Sequence, residues 1–224
     1  MAGKEENHLD GGDPRSLEGG RNAVRTAMAA MLVLATGVAA ATDYPVSGSL
    51  TVNGNGAPLP GGGAFMGSGY DPASGAIAEG SFVFPQTTFS FDTPLGTAVA
   101  TYVLDQTDTS SGAVWADATA ALTPASFTLT VLSLTVGIFP VDVGTCVLGP
   151  IVIELAGTAS ADGLALGDDG FEIPALAGGA CGGYGKVINT AIAGTNNQAA
   201  LDLAGDFTPP ADTDTIFASG FDSP

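Results

Sequence analysis

The chain has very few basic residues. Only five of its 224 residues are Lys or Arg, whereas 23 are Asp or Glu, and the formal net charge is -18. Lys186 is the only basic residue that follows residue 41. A surface of this sign repels phosphate backbones and anionic lipid headgroups, which argues against nucleic-acid binding and electrostatic membrane docking. The ordinary reason for such acidity is solubility, and we favour that reason over a specific cation site.

Histidine is absent after His8, and this absence excludes the commonest catalytic chemistries. A Ser-His-Asp or Cys-His constellation needs a His, and the sequence has no G-x-S-x-G motif. Zinc sites need His or several Cys, and no phosphate-binding or dinucleotide-binding glycine motif is present. We therefore predict that the protein is not an enzyme and that it needs no cofactor.

One catalytic alternative does not need a histidine. A glycan-active enzyme can work with two carboxyl groups across a cleft, and Glu79, Glu154 and Glu172 lie in or beside predicted strands. Aromatic side chains that could stack on a sugar are few, with one Trp and four Tyr. We expect Glu172 to point outward from an alternating strand and Trp115 to anchor a core or a sheet face.

Cysteine is also scarce, since Cys146 and Cys181 are the only two. Both lie in the part of the chain that we expect to be exported, where an oxidising compartment favours pairing. We predict one disulfide between them, worth roughly 4 kcal/mol in the chain-entropy model. A reactive thiol or a metal-binding pair is the alternative, but no His, Arg or third Cys follows to support either chemistry.

The longest apolar run is too short to span a bilayer and has the form of an export signal. Arg21 and Arg25 precede an apolar stretch from Ala27 to Val38, and Ala39-Ala40-Ala41 provides an A-x-A cleavage site. We predict a signal peptide over residues 21 to 41 and no membrane span after its removal. Residues 1 to 20 are polar and have no periodic apolar pattern. They are either a disordered extension or the product of a start codon assigned too early.

From Tyr44 onward the sequence alternates short apolar stretches with Gly, Pro, Asn and Asp clusters, the rhythm of strands and turns. It predicts an all-β fold, an antiparallel β-sandwich of Ig-like size over residues 42 to 206, and a linker with a tail over residues 207 to 224. Alternation changes phase near Val131, which predicts a β-bulge there. The segments Asn53-Gly54 and Asp162-Gly163 predict tight turns, and one short helix is expected from Tyr184 to Ile192.

Two faint resemblances point to exported bacterial proteins. The segment Ile216-Phe217-Ala218-Ser219-Gly220-Phe221-Asp222 resembles the terminal I-F-x-x-G-F-[DE] motif of secreted proteins from certain Gram-negative bacteria. Residues 147 to 203, with Leu148-Gly149-Pro150, Phe171-Glu172-Ile173-Pro174 and Cys181-Gly182, resemble secreted bacterial β-sandwich proteins of unassigned function. The first resemblance implies an exported protein whose tail is recognised by a sorting or secretion apparatus, and a frayed terminus is the alternative. The second implies no functional residues.

Calcium is the ligand best suited to an acidic exported protein, because it prefers carboxylate and carbonyl oxygens. Asp162, Asp168 and Asp169 fall within one predicted hairpin region and are the candidate metal ligands, although they do not match the D-x-[DN]-x-[DN]-G pattern. A plain turn is the competing interpretation. The sequence thus predicts a secreted or cell-envelope module with a binding or structural role and an unknown protein or glycan partner. We expect it in the periplasm, on the outer surface or outside the cell. A calcium-dependent adhesion domain and a glycan-active enzyme are the alternatives.

Overall fold

The computed structural model describes residues 41 to 93 and 96 to 212. The predictions for the N-terminal extension, for most of the signal peptide and for the I-F-x-x-G-F-[DE] motif therefore lie outside the described residues. The structure bears on the remaining predictions, which concern the β domain and the start of the linker.

The described chain consists of fifteen strands and one short α-helix. The strands of the first half are β1 Thr42–Val52, β2 Asn55–Pro58, β3 Gly63–Ser68, β4 Tyr70–Asp71, β5 Ala76–Val83, β6 Thr87–Thr93, β7 Gly96–Gln106 and β8 Ser110–Val114. Those of the second half are β9 Thr119–Leu122, β10 Ala125–Val136, β11 Phe139–Val141, β12 Val147–Ile153, β13 Ala156–Ser160, β14 Gly163–Ile173 and β15 Gly194–Ala204. The helix α1, Gly185–Ile192, lies between β14 and β15.

The strands pair antiparallel, and eight of them form a closed ring. The path of hydrogen-bonded neighbours runs β5-β3-β1-β15-β14-β13-β9-β8, and β8 then pairs with β5 through Ala76↔Ala113 and Ile77↔Gly112. The prediction of an all-β fold is confirmed. The predicted two-sheet sandwich is not clearly present, because one sheet closes on itself instead of two sheets facing each other.

Four strands of the ring each have, as their neighbour in the chain, a strand that lies outside the ring. In the chain, β6 follows β5, β7 precedes β8, β10 follows β9, and β12 precedes β13. Both β6 and β10 pair with β7. The registers Val83↔Asp105 and Thr87↔Tyr102 show that β5 and β6 run along the same edge of β7. We call the closed part the ring end, and the part built from β6, β7, β10 and β12 the cavity end.

The predicted bulge near Val131 is confirmed. The register between β10 and β7 shifts between Val131↔Tyr102 and Ser133↔Thr101. Val131 and Leu134 are both buried, whereas Leu132 is 48% exposed. The extra residue keeps the apolar residues of both halves of the strand on the inner face.

The predicted disulfide and the predicted helix are also confirmed. Cys146 and Cys181 are joined with their Cα atoms 4.5 Å apart, and both are buried. The helix begins at Gly185, one residue after the predicted start, and ends at Ile192. A short 3-10 turn, Cys181–Gly183, precedes it, so the disulfide holds the approach to the helix against the segment that leads into β12.

The ring end is filled by aromatic side chains, and one of them comes from the expected linker. Phe207 has no exposed surface, its ring centroid lies 4.8 Å from that of Tyr44, and its amide donates to the carbonyl of Ser160. Phe65 packs on Phe82 with a centroid separation of 4.7 Å. The core therefore extends one residue beyond the boundary that we placed after residue 206, because a ring of strands needs its end closed.

Candidate functional site

The inward-facing side chains of the cavity end surround an open space. Alternation along each strand sends every second side chain inward, and the inward rows of β6, β7, β10 and β12 face those of β1, β14 and β15. The helix contributes Ile188 and Ile192 to the lining. The lining residues are all Ala, Val, Leu, Ile or Phe, with Tyr102 as the single exception.

The cavity is large enough for an organic ligand. The centre of a water-sized sphere can move through about 90 Å³ of the cavity. The space free of protein atoms is about 1020 Å³, a volume that includes open solvent. A single water needs only about 10 to 15 Å³ on the first of these measures. Water is poorly held in a space with so few polar partners, so the cavity favours apolar occupants.

A seam in the sheet borders the cavity. β3 and β5 pair from Ala64↔Val83 to Met66↔Ser81, but the adjoining strands diverge, since β2 pairs with β1 and β6 pairs with β7. Among the described strands, neither β2 nor β6 has a second partner. Lining residues near these two edges, Leu59, Phe89 and Phe91, are only half-buried, and α1 lies against β6.

The cap, which we define as residues 174 to 193, borders the cavity through its helix, which lies against β6. Asn189 bonds both ways with the backbone of Leu176, accepting from its amide at 2.7 Å and donating to its carbonyl at 2.8 Å. Asn53 donates to the carbonyl of Thr190 at 3.0 Å. The Asn189 bonds brace the cap internally, whereas the Asn53 bond joins it to the β1–β2 turn and the disulfide joins it to the segment before β12.

A buried amide joins this region to the sheet. Asn197 has no exposed surface, and its Nδ2 donates to the carbonyls of Phe171 at 3.0 Å and Gly194 at 2.7 Å. Its Oδ1 accepts from the amide of Asn53 at 2.8 Å. These bonds satisfy the backbone where the register between β14 and β15 shifts, so the buried polar group carries no desolvation penalty.

Tyr102 provides the one polar side-chain group of the lining. The residue is 6% exposed and lies in the middle of β7 between Thr87 on β6 and Val131 on β10. No described residue makes a hydrogen bond to its hydroxyl, and the hydroxyl oxygen is not fully buried. Burial raises the pKa of the Tyr102 phenol above its ordinary value of 10.0.

The three predicted metal ligands lie away from the cavity and apart from one another. Asp162 is in the turn between β13 and β14, whereas Asp168 and Asp169 lie six residues further along β14, a distance of about 20 Å in an extended strand. No group of three or more His, Cys, Asp or Glu side chains in the described residues is arranged to hold a metal ion. Calcium binding stays a prediction, and thermal unfolding with calcium and then with chelator tests it.

Asp168 has a structural partner set of its own. Its Oδ2 accepts from the amide of Glu154 and its Oδ1 from the amide of Gly170, both at 2.8 Å. These bonds fall where the ladder between β14 and β15 is interrupted after Asp168. The carboxylate thereby satisfies backbone groups that the sheet leaves unpaired. The competing interpretation of a turn is wrong for Asp168 and Asp169, because both lie within β14 at an irregularity of its ladder.

The carboxylates considered for glycan chemistry are all exposed and do not line the cavity. Glu79 lies on β5, Glu154 between β12 and β13, and Glu172 on β14, where it points outward as expected. Trp115 is 49% exposed in the turn after β8, so it is not part of the core. The expectation that Trp115 anchors the core is therefore wrong, and Glu79, Glu154 and Glu172 form no inward pair of carboxylates in the cavity.

The chain matches no protein-family model, no curated protein and no solved structure. Within the described residues, no helix is long and apolar enough to cross a membrane. The cavity and Tyr102 were not predicted from the sequence, because an inward row of apolar residues has the same pattern whether the interior is filled or hollow.

Proposed function

We propose that this protein is an exported, non-catalytic binding module that takes a small hydrophobic molecule into the cavity end of its sheet. The observation that carries the proposal is an open space lined by apolar side chains and a single hydroxyl. Small-molecule sites are concave and mostly apolar, with a small number of polar groups.

The chemistry of the lining supports binding over catalysis. Its side chains are aliphatic or aromatic apart from Tyr102, so the cavity wall presents no carboxylate, thiol, imidazole or amine to a bound molecule. The Tyr102 hydroxyl is the one group there that could take part in acid-base or nucleophilic chemistry, and no second titratable side chain lines the cavity to activate it. A molecule in this space is held and shielded from water.

Export is supported by residues outside the cavity. The signal-like segment over residues 21 to 41 and the disulfide between Cys146 and Cys181 both fit an oxidising compartment. A carrier for apolar molecules is of use in such a compartment, because these molecules are poorly soluble in water. A protein or glycan partner, a calcium-dependent adhesion role and carboxylate-based glycan chemistry are the competing proposals, and the cavity supports none of them.

A cavity-filling substitution tests the proposal. Ala100 lines the cavity from β7, and Val99 beside it is 39% exposed on the outer face. We expect the full exported chain to bind the uncharged fluorescent dye aminoanthracene with a blue shift and increased emission. Ala100→Leu should weaken this binding at least tenfold because its side chain occupies the space, whereas Val99→Leu should leave the affinity unchanged.

Ala199→Val serves as a second filling variant on the opposite wall, in case Ala100→Leu perturbs the fold. Thermal unfolding of each variant shows whether it is folded. The proposal is wrong if the wild-type chain does not bind the dye, or if both folded filling variants bind it as tightly as the wild type.

A further inference from the structure

We propose that the Tyr102 hydroxyl is the single polar contact of the bound molecule, and that the cavity therefore selects an uncharged hydrophobe with one hydrogen-bonding oxygen over a carboxylate. Ketones, esters and alcohols belong to the selected class. The inference rests on the proposed function, since it concerns the ligand of the same cavity.

The first support is the unmade hydrogen bond of Tyr102. A buried tyrosine hydroxyl usually finds a partner, because burying it without one costs free energy. Tyr102 is 6% exposed, and no described residue bonds to its hydroxyl. That oxygen is not among the fully buried atoms without a partner, and Tyr102 lines the cavity, so we infer that the hydroxyl faces the cavity.

The second support is the position of Tyr102 in the lining. It lies at the centre of an apolar wall, with Ala100 and Leu104 on either side along β7 and Val131 opposite on β10. A ligand oxygen at any other part of the wall loses its hydrogen bonds to water and gains none. The hydroxyl thus fixes where the polar atom of a ligand lies, and the rest of the molecule fills the apolar space.

The third support is the absence of positive charge in the lining. The described residues include one basic side chain, Lys186, which is exposed on α1 and does not line the cavity. A carboxylate that enters the cavity gives up its hydration without gaining a counter-charge. The raised pKa of the Tyr102 phenol has the same origin, because the surroundings disfavour a negative charge on that oxygen.

A hydroxyl accommodates several neutral oxygen groups. It donates to the carbonyl oxygen of a ketone or ester, and it either donates to or accepts from an alcohol. A net hydrogen bond of this kind changes affinity by about 2-fold to 13-fold. The effect is modest for binding, but it discriminates between molecules of equal length and equal apolar surface.

The test compares decane, a decanone, decanol and decanoate as competitors of aminoanthracene on the full exported chain and on Tyr102→Phe. We expect the wild type to bind the ketone and the alcohol more tightly than decanoate at neutral pH. Tyr102→Phe should lower the affinity for the ketone and the alcohol by about 2-fold to 13-fold and leave that for decane unchanged. The carbon-13 shift of the Tyr102 ring should change with the ketone and not with decane.

Each contrary result has a distinct meaning. If decane displaces the dye but Tyr102→Phe binds the ketone as tightly as the wild type, the role of Tyr102 is wrong and the cavity proposal stands. If decanoate binds as tightly as the ketone, the preference for neutral ligands is wrong. If none of the four displaces the dye, the proposed function itself fails.

Discussion

The ring end and the cavity end are built by adjoining strands of one sheet, yet one is solid and the other hollow. At the ring end, aromatic side chains from β3 and β5 meet in the interior, and Phe207 closes the end against Tyr44 and Tyr70. At the cavity end, alanines occupy inward positions that larger side chains would fill, as at Ala57, Ala100 and Ala199. Strand pairing sets the shape of the enclosure, and side-chain volume decides whether anything else fits inside.

The contrast predicts unequal costs for removing an aromatic ring from each end. Phe207→Ala should lower the free energy of unfolding by about 3 to 5 kcal/mol, because it leaves a cavity in a packed interior. Phe91→Ala should cost clearly less, since Phe91 is half-buried and already borders open space. Urea denaturation of both variants measures the difference, and equal losses would contradict a solid ring end and a hollow cavity end.

The disulfide is predicted to matter for the cavity end alone. Replacing both Cys146 and Cys181 with Ser should cost about 2 to 4 kcal/mol, because the open chain gains freedom that the cross-link removes. Hydrogen exchange should accelerate in the cap and remain unchanged in the strands of the ring end. The reduced wild-type chain is the matched control, and exchange that accelerates evenly throughout the sheet would show that the cross-link does not act locally.

One residue at each end should respond to an opposite extreme of pH. Burial raises the pKa of Tyr102 at the cavity end, so its contribution to stability is complete below its unfolded value of 10.0 and is lost as the pH rises through the folded pKa. Hydrogen bonds from Thr119 lower the pKa of Asp117 in the β8–β9 turn at the ring end. That contribution is present above 3.8 and is lost as the pH falls through the folded pKa.

Denaturation at a series of pH values checks both directions. Tyr102→Phe should remove part of the alkaline loss of stability and leave the acid side unchanged. Asp117→Asn should remove part of the acid loss, by a smaller amount because Asp117 is exposed. Tyr70, whose pKa is raised by burial and then by Asp206 and Asp71, supplies an alkaline contribution at the ring end that both variants retain.

Local patterns in the sequence were sufficient for the elements but not for their assembly. The phase change near Val131 located the bulge, and the apolar face around Ile188 and Ile192 located the helix. The two cysteines left one obvious pairing. In each of these cases a short stretch of chain or a count of residues carries the information.

The closure of the sheet and the cavity depend on distant residues and were not predicted. The pairing of Ile77 with Gly112 leaves no periodic trace in either strand, so a ring and a sandwich give the same alternation. Phe207 precedes Thr208-Pro209-Pro210, a composition typical of linkers, and only its contacts with Tyr44 show that it is core. Whether Ala100 faces another side chain or open space depends on volumes across the whole interior.

The seam between β2 and β6 also leaves two strand edges without a second partner among the described strands. Unpaired strand edges offer backbone groups to which another chain can add a strand. Here β6 carries the exposed Asp92, and the chain has 23 acidic residues against five basic ones, so two copies approach with charges of the same sign. Salt shortens the range of that repulsion to about 3 Å at 1 M. The acidity of the chain therefore opposes strand addition at these edges, and high ionic strength weakens that opposition.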